Sequence, residues 1–317
     1  MKKISVVVTT YNEEENVMPM IEALTSLFKH ELNQYDYELI FIDNCSTDKT
    51  EALLEEACAK DKKVKAIFNI RNFGAFNSPY YGLLQATGDC AILMACDFQD
   101  PVEVLPKFVK EWENGYKVVV GVKNKSKENP ILYGLRSLYY KLIRSLSSSI
   151  NQIDHFTGFG LYDRSFLEIM RGLKDSTPFL RGVVAEYGHK IKTVPFEQPK
   201  RLHGKTHHNF SSLYDASMLS FTSYTTLGLR IVTITGFLFS VGSFIIGLVY
   251  LIIKLRHWYY FNMGMAPVVV GMFFLGSVIL MTLGLLGEYL ISINRRTMKR
   301  PLVIEERRIN FEEAKND

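Results

Sequence analysis

The chain has 317 residues, enough to bury a sizeable core and to hold more than one structural unit. Its formal net charge of +4 and pI near 8.7 are only mildly basic, which argues against a nucleic-acid-binding protein. The charge is unevenly distributed, because no acidic residue occurs between Asp215 and Glu288, whereas the preceding part mixes both signs.

The cysteines and the amino terminus favour a cytosolic amino-terminal half. Cys45, Cys58, Cys90 and Cys96 lack CxxC or zinc-finger spacing, so we expect reduced thiols and no disulfide framework. Met1 and two lysines lead at once into a strand-like segment, so no signal peptide is expected.

The first 122 residues alternate between strand and helix patterns. Predicted strands, β-branched and bounded by turn residues, cover residues 4–9, 37–42, 64–70, 90–95 and 118–122. Predicted helices, with apolar residues at helical spacing, cover residues 14–30, 49–60 and 78–87. Ser46 or Thr47 is expected to cap the second helix. This alternation predicts an α/β fold built from parallel βαβ units, with polar residues at successive strand ends.

The predicted strand at residues 90–95 ends in a cluster of oxygen-bearing side chains. Asp97, Gln99 and Asp100 follow it directly, and Pro101 stops the strand. Open α/β sheets bind ligands at the carboxyl ends of their strands. Carboxylate and amide oxygens there suit Mg²⁺ or Mn²⁺ shared with a substrate phosphate. The alternative is a solvated Asp-x-x-Asp turn without a ligand.

Two stretches have the pattern of helices that lie in a membrane interface. Residues 131–150 interleave apolar and aromatic side chains with Arg136, Lys141 and Arg144. Residues 211–230 are amphipathic and carry no acid after Asp215. An ordinary amphipathic helix packed on the sheet is the alternative for the first stretch.

Two long uncharged segments follow, at residues 231–253 and 258–287. Each is longer than the roughly 20 residues that a helix needs to span a bilayer. We therefore predict a transmembrane hairpin of helices at 231–255 and 267–291, joined by an external loop at 256–266.

Flanking residues predict the orientation of this hairpin. The run WYYF at residues 258–261 forms an aromatic belt, and several basic residues follow the second span. The basic excess places both termini and the amino-terminal domain on the cytoplasmic side of the inner membrane. Small residues in the spans permit close helix packing, and so a homo-oligomer. In the charged tail, 292–317, only residues 301–304 are expected to pair as a short strand.

Four motifs occur in order along the chain: VVVTTYNE at residues 6–13, DNCSTD at 43–48, RNFG at 71–74 and DFQDP at 97–101. This series resembles the successive motifs of family 2 glycosyltransferases with the GT-A fold. GLLGEYL at 284–290 also resembles the polyprenyl-phosphate branch of that family, the dolichol-phosphate mannose synthases and bactoprenol glucosyltransferases. The resemblance covers nearly the whole chain and implies a nucleotide-sugar-binding domain with a Rossmann-like mixed sheet over residues 1–210.

The resemblance also implies roles for individual residues. Asp97, assisted by Gln99, would hold Mg²⁺ or Mn²⁺ on the donor diphosphate and so stabilise the leaving group. Lys123 and Arg136 would bind the acceptor phosphate. The residues implied in nucleotide-sugar binding are Thr10, Tyr11, Glu13, Asp43, Asn72, Arg201, Lys205 and His207. Turn and capping duty is the alternative for the polar residues of the strand-end loops, and a solvated surface charge is the alternative for the cations.

Two positions depart from the family pattern. Ala95 stands where the family's Asp-x-Asp has its first acid, and Gly158 stands where the family has the acid proposed as catalytic base. Asp154 is the nearest acid that could substitute. Alternatively, no base is needed, because a lipid phosphate is already anionic near neutral pH.

These inferences predict an inverting transferase that moves a hexose-type sugar from a UDP- or GDP-sugar to a polyprenyl phosphate. A processive polysaccharide synthase fits less well, because the chain lacks the Gln-x-x-Arg-Trp signature and its only tryptophans are Trp112 and Trp258. A transferase acting on a lipid hydroxyl would need the missing base. A degenerate sugar-nucleotide-binding scaffold that recruits a membrane partner fits the two missing acids.

Overall fold

A computed structural model describes residues 1–123, 153, 156–173, 175, 178–199, 265–298 and 300–311, and scattered helical positions between 232 and 256. The chain divides into two compact units. The first comprises Met1–Arg144, Ser149–Asn209 and Met298–Asp317, and the second comprises Ser145–Ser148 and Phe210–Thr297.

The first unit is built on an eight-stranded mixed sheet. Its strands are β1 (Lys3–Thr10), β2 (Asp36–Asp43), β3 (Val64–Asn69), β4 (Cys90–Ala95), β5 (Val118–Lys123), β6 (Phe156–Asp163), β7 (Ile191–Phe196) and β8 (Glu305–Ile309). The order across the sheet is β7-β5-β6-β4-β1-β2-β3-β8. Strands β1 to β4 are mutually parallel, whereas β6 runs antiparallel to β4 and β5, and β8 runs antiparallel to β3.

Helices cover both faces of this sheet. They are α1 (Val17–His30), α2 (Thr50–Lys60), α3 (Gly74–Gln85), α4 (Leu105–Glu113), α5 (Arg164–Leu173) and α6 (Leu180–Tyr187), with a 3₁₀ turn at Val102–Val104. Strand β1 shows the period of two that a doubly covered sheet requires. Val6 and Val8 pack in a core cluster with residues of α1, α2 and α4, whereas Val7 packs in a second cluster with residues of α3, α5 and α6.

The predicted α/β class and the five predicted strands are confirmed, with shifts of at most one residue at the strand ends. Helix α3 begins at Gly74, four residues before the predicted start, and includes Pro79. Proline disfavours helical geometry at the residue before it, here Ser78, yet the helix begins one turn earlier. The predicted cap of α2 is wrong, because Asp48 Oδ1 accepts the hydrogen bond from Thr50 N at 2.9 Å.

The predicted tail strand is wrong in position, since β8 covers Glu305–Ile309 rather than residues 301–304. The residues of β8 are mostly charged, so the sequence lacks the alternation of apolar and polar residues that predicts a strand. Arg307 forms ion pairs with Glu51 and Glu55, and its guanidinium lies 4.5 Å from the centre of the Phe68 ring. Long basic side chains cover apolar surface with their stems and aromatic faces with their heads.

The second unit contains one long helix in its described part, α7 (Met265–Thr297). Within the described residues, Phe274–Asn294 is the one segment long and apolar enough to cross a membrane. It overlaps the second predicted span. The predicted helices at 131–150 and 211–230 lie outside the described residues, as do most of the first predicted span and of the loop at 256–266.

A buried carboxylate ties the amino-terminal ends of the central strands together. Glu38 is 1% exposed, and its Oε1 accepts hydrogen bonds from Ser5 Oγ at 2.6 Å and Thr87 N at 2.9 Å. Its Oε2 lies 2.9 Å from Lys3 Nζ and 2.8 Å from Lys65 Nζ. Burial alone would raise the pKa of Glu38, but the hydrogen bonds from Lys65, Ser5 and Lys3 lower it to about 2.

We predict that Glu38→Gln lowers the free energy of unfolding at neutral pH by about 3 kcal/mol, because the partly buried amino groups of Lys3 and Lys65 lose their anion. Since the folded pKa lies below the usual value of 4.5, the ionised carboxylate stabilises the fold fully above that value. This contribution is lost as the pH falls from about 4.5 towards 2.

Urea unfolding of wild type and variant at several pH values measures both effects. The control is Glu113→Gln, which affects an exposed pair with Lys2 and should cost at most about 1 kcal/mol. Equal unfolding free energies for wild type and Glu38→Gln at pH 7 would contradict this account.

Candidate functional site

The carboxyl ends of four neighbouring strands meet along one edge of the sheet, which we call the site edge. The register pairs Thr10 with Asp43, Thr9 with Ala95, and Asp43 with Phe68. The loops that follow β1, β2, β3 and β4 therefore all leave the sheet at the same edge, where parallel α/β sheets carry ligands.

The loops after β1 and β2 are hydrogen-bonded to each other. Asn12 N donates to Ser46 Oγ at 2.8 Å, and Asn12 Oδ1 accepts from Thr47 N at 2.7 Å. Asp43 accepts from Ser46 N at 2.9 Å and from Ser46 Oγ at 2.5 Å, and Thr10 Oγ1 lies 3.2 Å from Asp43 Oδ1. Burial raises the pKa of Asp43 more than these hydrogen bonds lower it. The two loops thus form one structure in which Asp43 is already engaged.

Glu13 lies buried where the first loop enters α1. Its backbone N donates to Thr50 Oγ1 at 2.8 Å, and its carboxylate accepts from Asn16 Nδ2 at 2.5 Å. Asn16 Oδ1 is buried without a hydrogen-bond partner. Of the residues predicted on this loop, Thr10 and Glu13 are buried and Tyr11 is half-buried. Tyr11 therefore offers the most accessible side chain.

The amide of Asn44 holds the loop between β3 and α3, residues 70–74. Asn44 Nδ2 donates to Asn72 Oδ1 at 2.9 Å and lies 3.3 Å from Gly74 O. Asn44 Oδ1 accepts from Phe73 N at 2.9 Å and from Asn69 Nδ2 at 3.2 Å. This residue was not predicted as part of the site. The sequence feature that could have identified Asn44 is its position in the motif at residues 43–48, directly after Asp43.

A second turn brings two carboxylates together after β4. Asp97 is 6% exposed and its Oδ1 accepts from Gln99 N at 3.1 Å, while Asp100 Oδ2 accepts from Ala95 N at 3.0 Å. Burial, and to a smaller extent the charge of Asp97, raise the pKa of Asp100 to about 7, although the Ala95 N–H and Lys123 act to lower it. Asp100 is thus a second acid of this turn; the sequence grouped it with Asp97 and Gln99, but the family resemblance gave a role only to those two.

The donor set of this turn fits a hard divalent cation. Across the part of the chain that the structure describes, no three His, Cys, Asp or Glu side chains cluster as a metal centre. Mg²⁺ in phosphate-handling sites takes one or two carboxylates and completes its shell with water and phosphate oxygens. Asp97, Gln99 and Asp100 can supply such a set. A bound cation would also reduce the electrostatic cost of two neighbouring carboxylates.

Gly158 lies in a conformation and an environment that do not suit an acid. Its φ is 113°, and a Cβ there would lie 3.8 Å from the side chains of Leu93 and Leu180. Its carbonyl accepts a hydrogen bond from Tyr162 Oη at 2.7 Å. Leu93 pairs with Gly160 across antiparallel strands, so the residues before Gly160 lie towards the site edge. The position of the family's acid is therefore apolar and specific for glycine.

The structure brings most of the described predicted residues to this edge. Strand ends and their loops carry Thr10, Tyr11, Glu13, Asp43, Asn72, Asp97 and Gln99. Lys123 ends β5, close enough for its charge to act on Asp100. The remaining predicted residues, Arg136, Asp154, Arg201, Lys205 and His207, lie outside the described residues.

Comparison with known proteins identifies relatives along the whole chain. Residues 5–170 match glycosyl transferase family 2. The prophage bactoprenol glucosyl transferase homolog of Escherichia coli (strain K12) is 30% identical over 307 residues, covering 96% of this chain and 99% of that protein. The bactoprenol glucosyl transferase of Shigella phage SfX is 30% identical over 301 residues, covering 94% and 97%.

Solved structures are more distant. Glucosyl-3-phosphoglycerate synthase from Mycobacterium tuberculosis, in complex with UDP, is 18% identical. The match covers 70% of this chain and 79% of that chain, with a TM-score of 0.45. Family membership therefore rests on the sequence matches.

We predict that Gly158→Ala lowers the free energy of unfolding by about 1–3 kcal/mol, because an L-residue is strained at this φ. Gly158→Asp should also destabilise rather than supply a working base. Thermal unfolding measures the effect. Gly172→Ala, in α5 with open space around the new methyl group, is the matched control and should not destabilise. A melting temperature unchanged by Gly158→Ala would refute the strain argument.

Proposed function

The chain belongs to glycosyl transferase family 2, and on this premise we propose that it transfers a hexose-type sugar from a UDP- or GDP-sugar to a polyprenyl phosphate. The single observation that carries the proposal is the pair of acids, Asp97 and Asp100, at the shared carboxyl edge of four strands. Near-full-length similarity to two proteins named as bactoprenol glucosyl transferases supports the lipid phosphate as acceptor.

The donor nucleotide is proposed to bind on the loops after β1, β2 and β3. Of the predicted residues there, Tyr11 and Asn72 have accessible side chains, and the buried carboxylates of Glu13 and Asp43 can accept hydrogen bonds from a ribose or a base edge. The hydrogen bonds within Asp43's own turn support a positioning role for this residue as well. The basic segment with Arg201, Lys205 and His207 is proposed to cover the donor diphosphate.

The acid turn after β4 is proposed to handle the leaving group. In the reaction, a phosphate oxygen of the acceptor attacks the anomeric carbon while the bond from that carbon to the nucleoside diphosphate breaks, which inverts the configuration. Mg²⁺ or Mn²⁺ held by Asp97, Gln99 and Asp100 would supply charge stabilisation to the departing diphosphate. Negative charge grows on that diphosphate, so preorganised positive charge there lowers the barrier.

The acceptor phosphate is proposed to bind near Lys123 and Arg136. A phosphate monoester is anionic near neutral pH, so its oxygen can attack without losing a proton to the protein. The apolar, glycine-specific surroundings of Gly158 support this reading, because an acid side chain there would be strained. Asp154 is the nearest acid for an acceptor that does carry a proton, such as a lipid hydroxyl.

A lipid acceptor requires the enzyme to reach the membrane. The apolar segment Phe274–Asn294 supports membrane attachment of the chain. We propose that it forms a hairpin with a second span at 231–255, with both termini and the 1–210 domain on the cytoplasmic face and interfacial helices at 131–150 and 211–230. Glycines in the spans support a homo-oligomer packed through these helices.

A second candidate function is a scaffold that binds sugar nucleotides without turning them over. The observation that favours it is the absence of both family acids, at Ala95 and Gly158. Such a protein would bind the donor at the same site edge and recruit a membrane partner.

The test is a transfer assay on the full-length purified chain. A panel of UDP- and GDP-sugars is incubated with Mg²⁺ or Mn²⁺ and a short polyprenyl phosphate, and products are identified by mass. We expect one hexose to be added to the lipid for one nucleoside diphosphate released. Nucleotide binding without turnover of any donor would favour the scaffold.

We predict that Asp97→Asn slows transfer by at least about 100-fold, because the leaving diphosphate loses its main charge stabilisation. Asp36→Asn, at the opposite edge of the sheet, is the matched control and should leave turnover unchanged. Turnover by Asp97→Asn at the wild-type rate would remove Asp97 from the mechanism.

A further inference from the structure

The carboxyl-terminal strand β8 pairs with β3 as far as the start of the β3–α3 loop. The register runs from Ala66 opposite Ile309 to Asn69 opposite Glu305, with an irregularity between Phe68 and Asn69. One residue further on, Ile70 N donates to Ile304 O at 3.2 Å. Backbone pairing with the tail therefore fixes β3 up to the residue at which residues 70–74 leave the sheet.

Arg307 fastens this strand to α2 and to the face of β3. Its guanidinium pairs with Glu51 and Glu55, two acids one turn apart on α2, and lies over the ring of Phe68. Two acids and an aromatic face around one guanidinium form a specific contact, which an ammonium group reproduces only in part.

Asn310 attaches the end of β8 through hydrogen bonds from its side-chain amide to backbone carbonyls. It adopts a positive φ of 64°, and its Nδ2 lies 2.7 Å from Cys58 O and 2.8 Å from Val64 O. These two carbonyls belong to the end of α2 and the start of β3. The tail is thus attached at its middle by Arg307 and at its end by Asn310, two residues that are themselves remote in sequence from the site loops.

A chain of side-chain hydrogen bonds connects the β3–β8 pairing to the loop between β3 and α3. Asn69 Nδ2 lies 3.2 Å from Asn44 Oδ1 and 3.1 Å from Ser78 Oγ, the latter on α3. Asn44 in turn holds residues 72–74, as described above. Glu305 accepts a hydrogen bond from Tyr81 Oη on α3 at 2.8 Å. The tail thus contacts both flanks of the loop, the end of β3 and α3.

We infer that β8 is a positioning element for donor binding, with Arg307 and Asn310 as its anchors. When the tail is docked, Asn69 and Asn44 hold residues 72–74 in the geometry that receives the nucleotide. When the tail is released, β3 loses its edge partner next to Asn69 and the loop loses its fixed start. This inference rests on the proposed function, because it takes residues 72–74 as part of the nucleotide-sugar site.

The expected effect follows from the fraction of molecules with a correctly placed loop. If release of the tail leaves about one-fifth of molecules competent, the apparent dissociation constant rises about fivefold. We expect the rate at saturating donor to stay the same, because three strands, β1, β2 and β3, separate β8 from β4 and its acid turn in the sheet. A positioning role for β8 thus predicts weaker nucleotide binding with an unchanged rate at saturating donor.

The test uses the full-length chain and measures three quantities for each variant. They are the dissociation constant of UDP and of GDP by titration calorimetry, the kcat at saturating donor, and the amide exchange rate of residues 66–70 and 305–309. In Arg307→Ala and Asn310→Gly we expect faster exchange in both segments, and for the nucleotide that wild type binds a dissociation constant raised about five- to tenfold, with kcat retained. Asn310→Gly keeps the positive φ accessible and removes only the side-chain hydrogen bonds.

Two further variants separate positioning from general stability. Arg307→Lys keeps the positive charge and should restore much of the nucleotide affinity. Lys63→Ala removes a surface pair with Asp36 at 2.7 Å next to the other end of β3, and should leave affinity unchanged. Should Arg307→Ala not fold, Asn310→Gly provides the same comparison.

Wild-type affinity in variants whose tail exchanges faster would overturn the inference and leave the proposed function intact. Tail exchange as slow as in wild type would overturn it too, because Arg307 and Asn310 would then not be anchors. Failure of the wild-type chain to bind either nucleotide would overturn the donor proposal and this inference together.

Discussion

The parallel pairing of β1 with both β2 and β4 determines where the other features of the first unit lie. It places three strand ends in register, with Thr10 beside Asp43 and Thr9 beside Ala95, so the polar loops gather at one edge. At the opposite end of the same strands, buried Glu38 holds β1, β2 and β3 through Ser5 and two lysines. Because a strand shifted by one residue would turn its apolar side chains to the wrong face, this register also positions the core.

The buried carboxylates at the site edge require a positive charge that a bound cation would supply. Two carboxylates lie buried together after β4, and burial with the neighbouring charge already raises the pKa of Asp100. A divalent cation would balance these carboxylates and could bind the anionic diphosphate at the same time. On the side proposed to bind the acceptor, Gly158 is an apolar position at which the family resemblance implied an acid. An acceptor that brings its own negative charge needs no acid at Gly158, which is the physical basis of the proposed lipid phosphate.

Local sequence patterns were sufficient to predict the strands and loops that position the site. They were insufficient to predict the long-range contacts that complete it. The β-branched runs of β1 to β5 and the polar motifs after them predicted the site edge, because burial and strand spacing are encoded locally. The role of Asn44 was missed, since an amide that bonds partners 25 and 28 residues away has no local signature. Strand β8 was misplaced because its charged side chains look solvated until Phe68 and α2 are known. The positive φ of Gly158 could not be predicted either, because the sequence shows that the acid is missing but not that the backbone conformation there excludes an acid side chain.

The central claim is that the acceptor supplies the nucleophilic charge, and a comparison of two acceptors tests it most directly. Purified full-length protein, with a donor that it turns over, is given either a polyprenyl phosphate or the polyprenol of the same chain length. The two lipids differ only in the phosphate that is proposed to attack the anomeric carbon. We predict hexose transfer to the phosphate and none to the alcohol across pH 6 to 8. Transfer to the polyprenol at a comparable rate would contradict the account, because a hydroxyl acceptor requires a protein base.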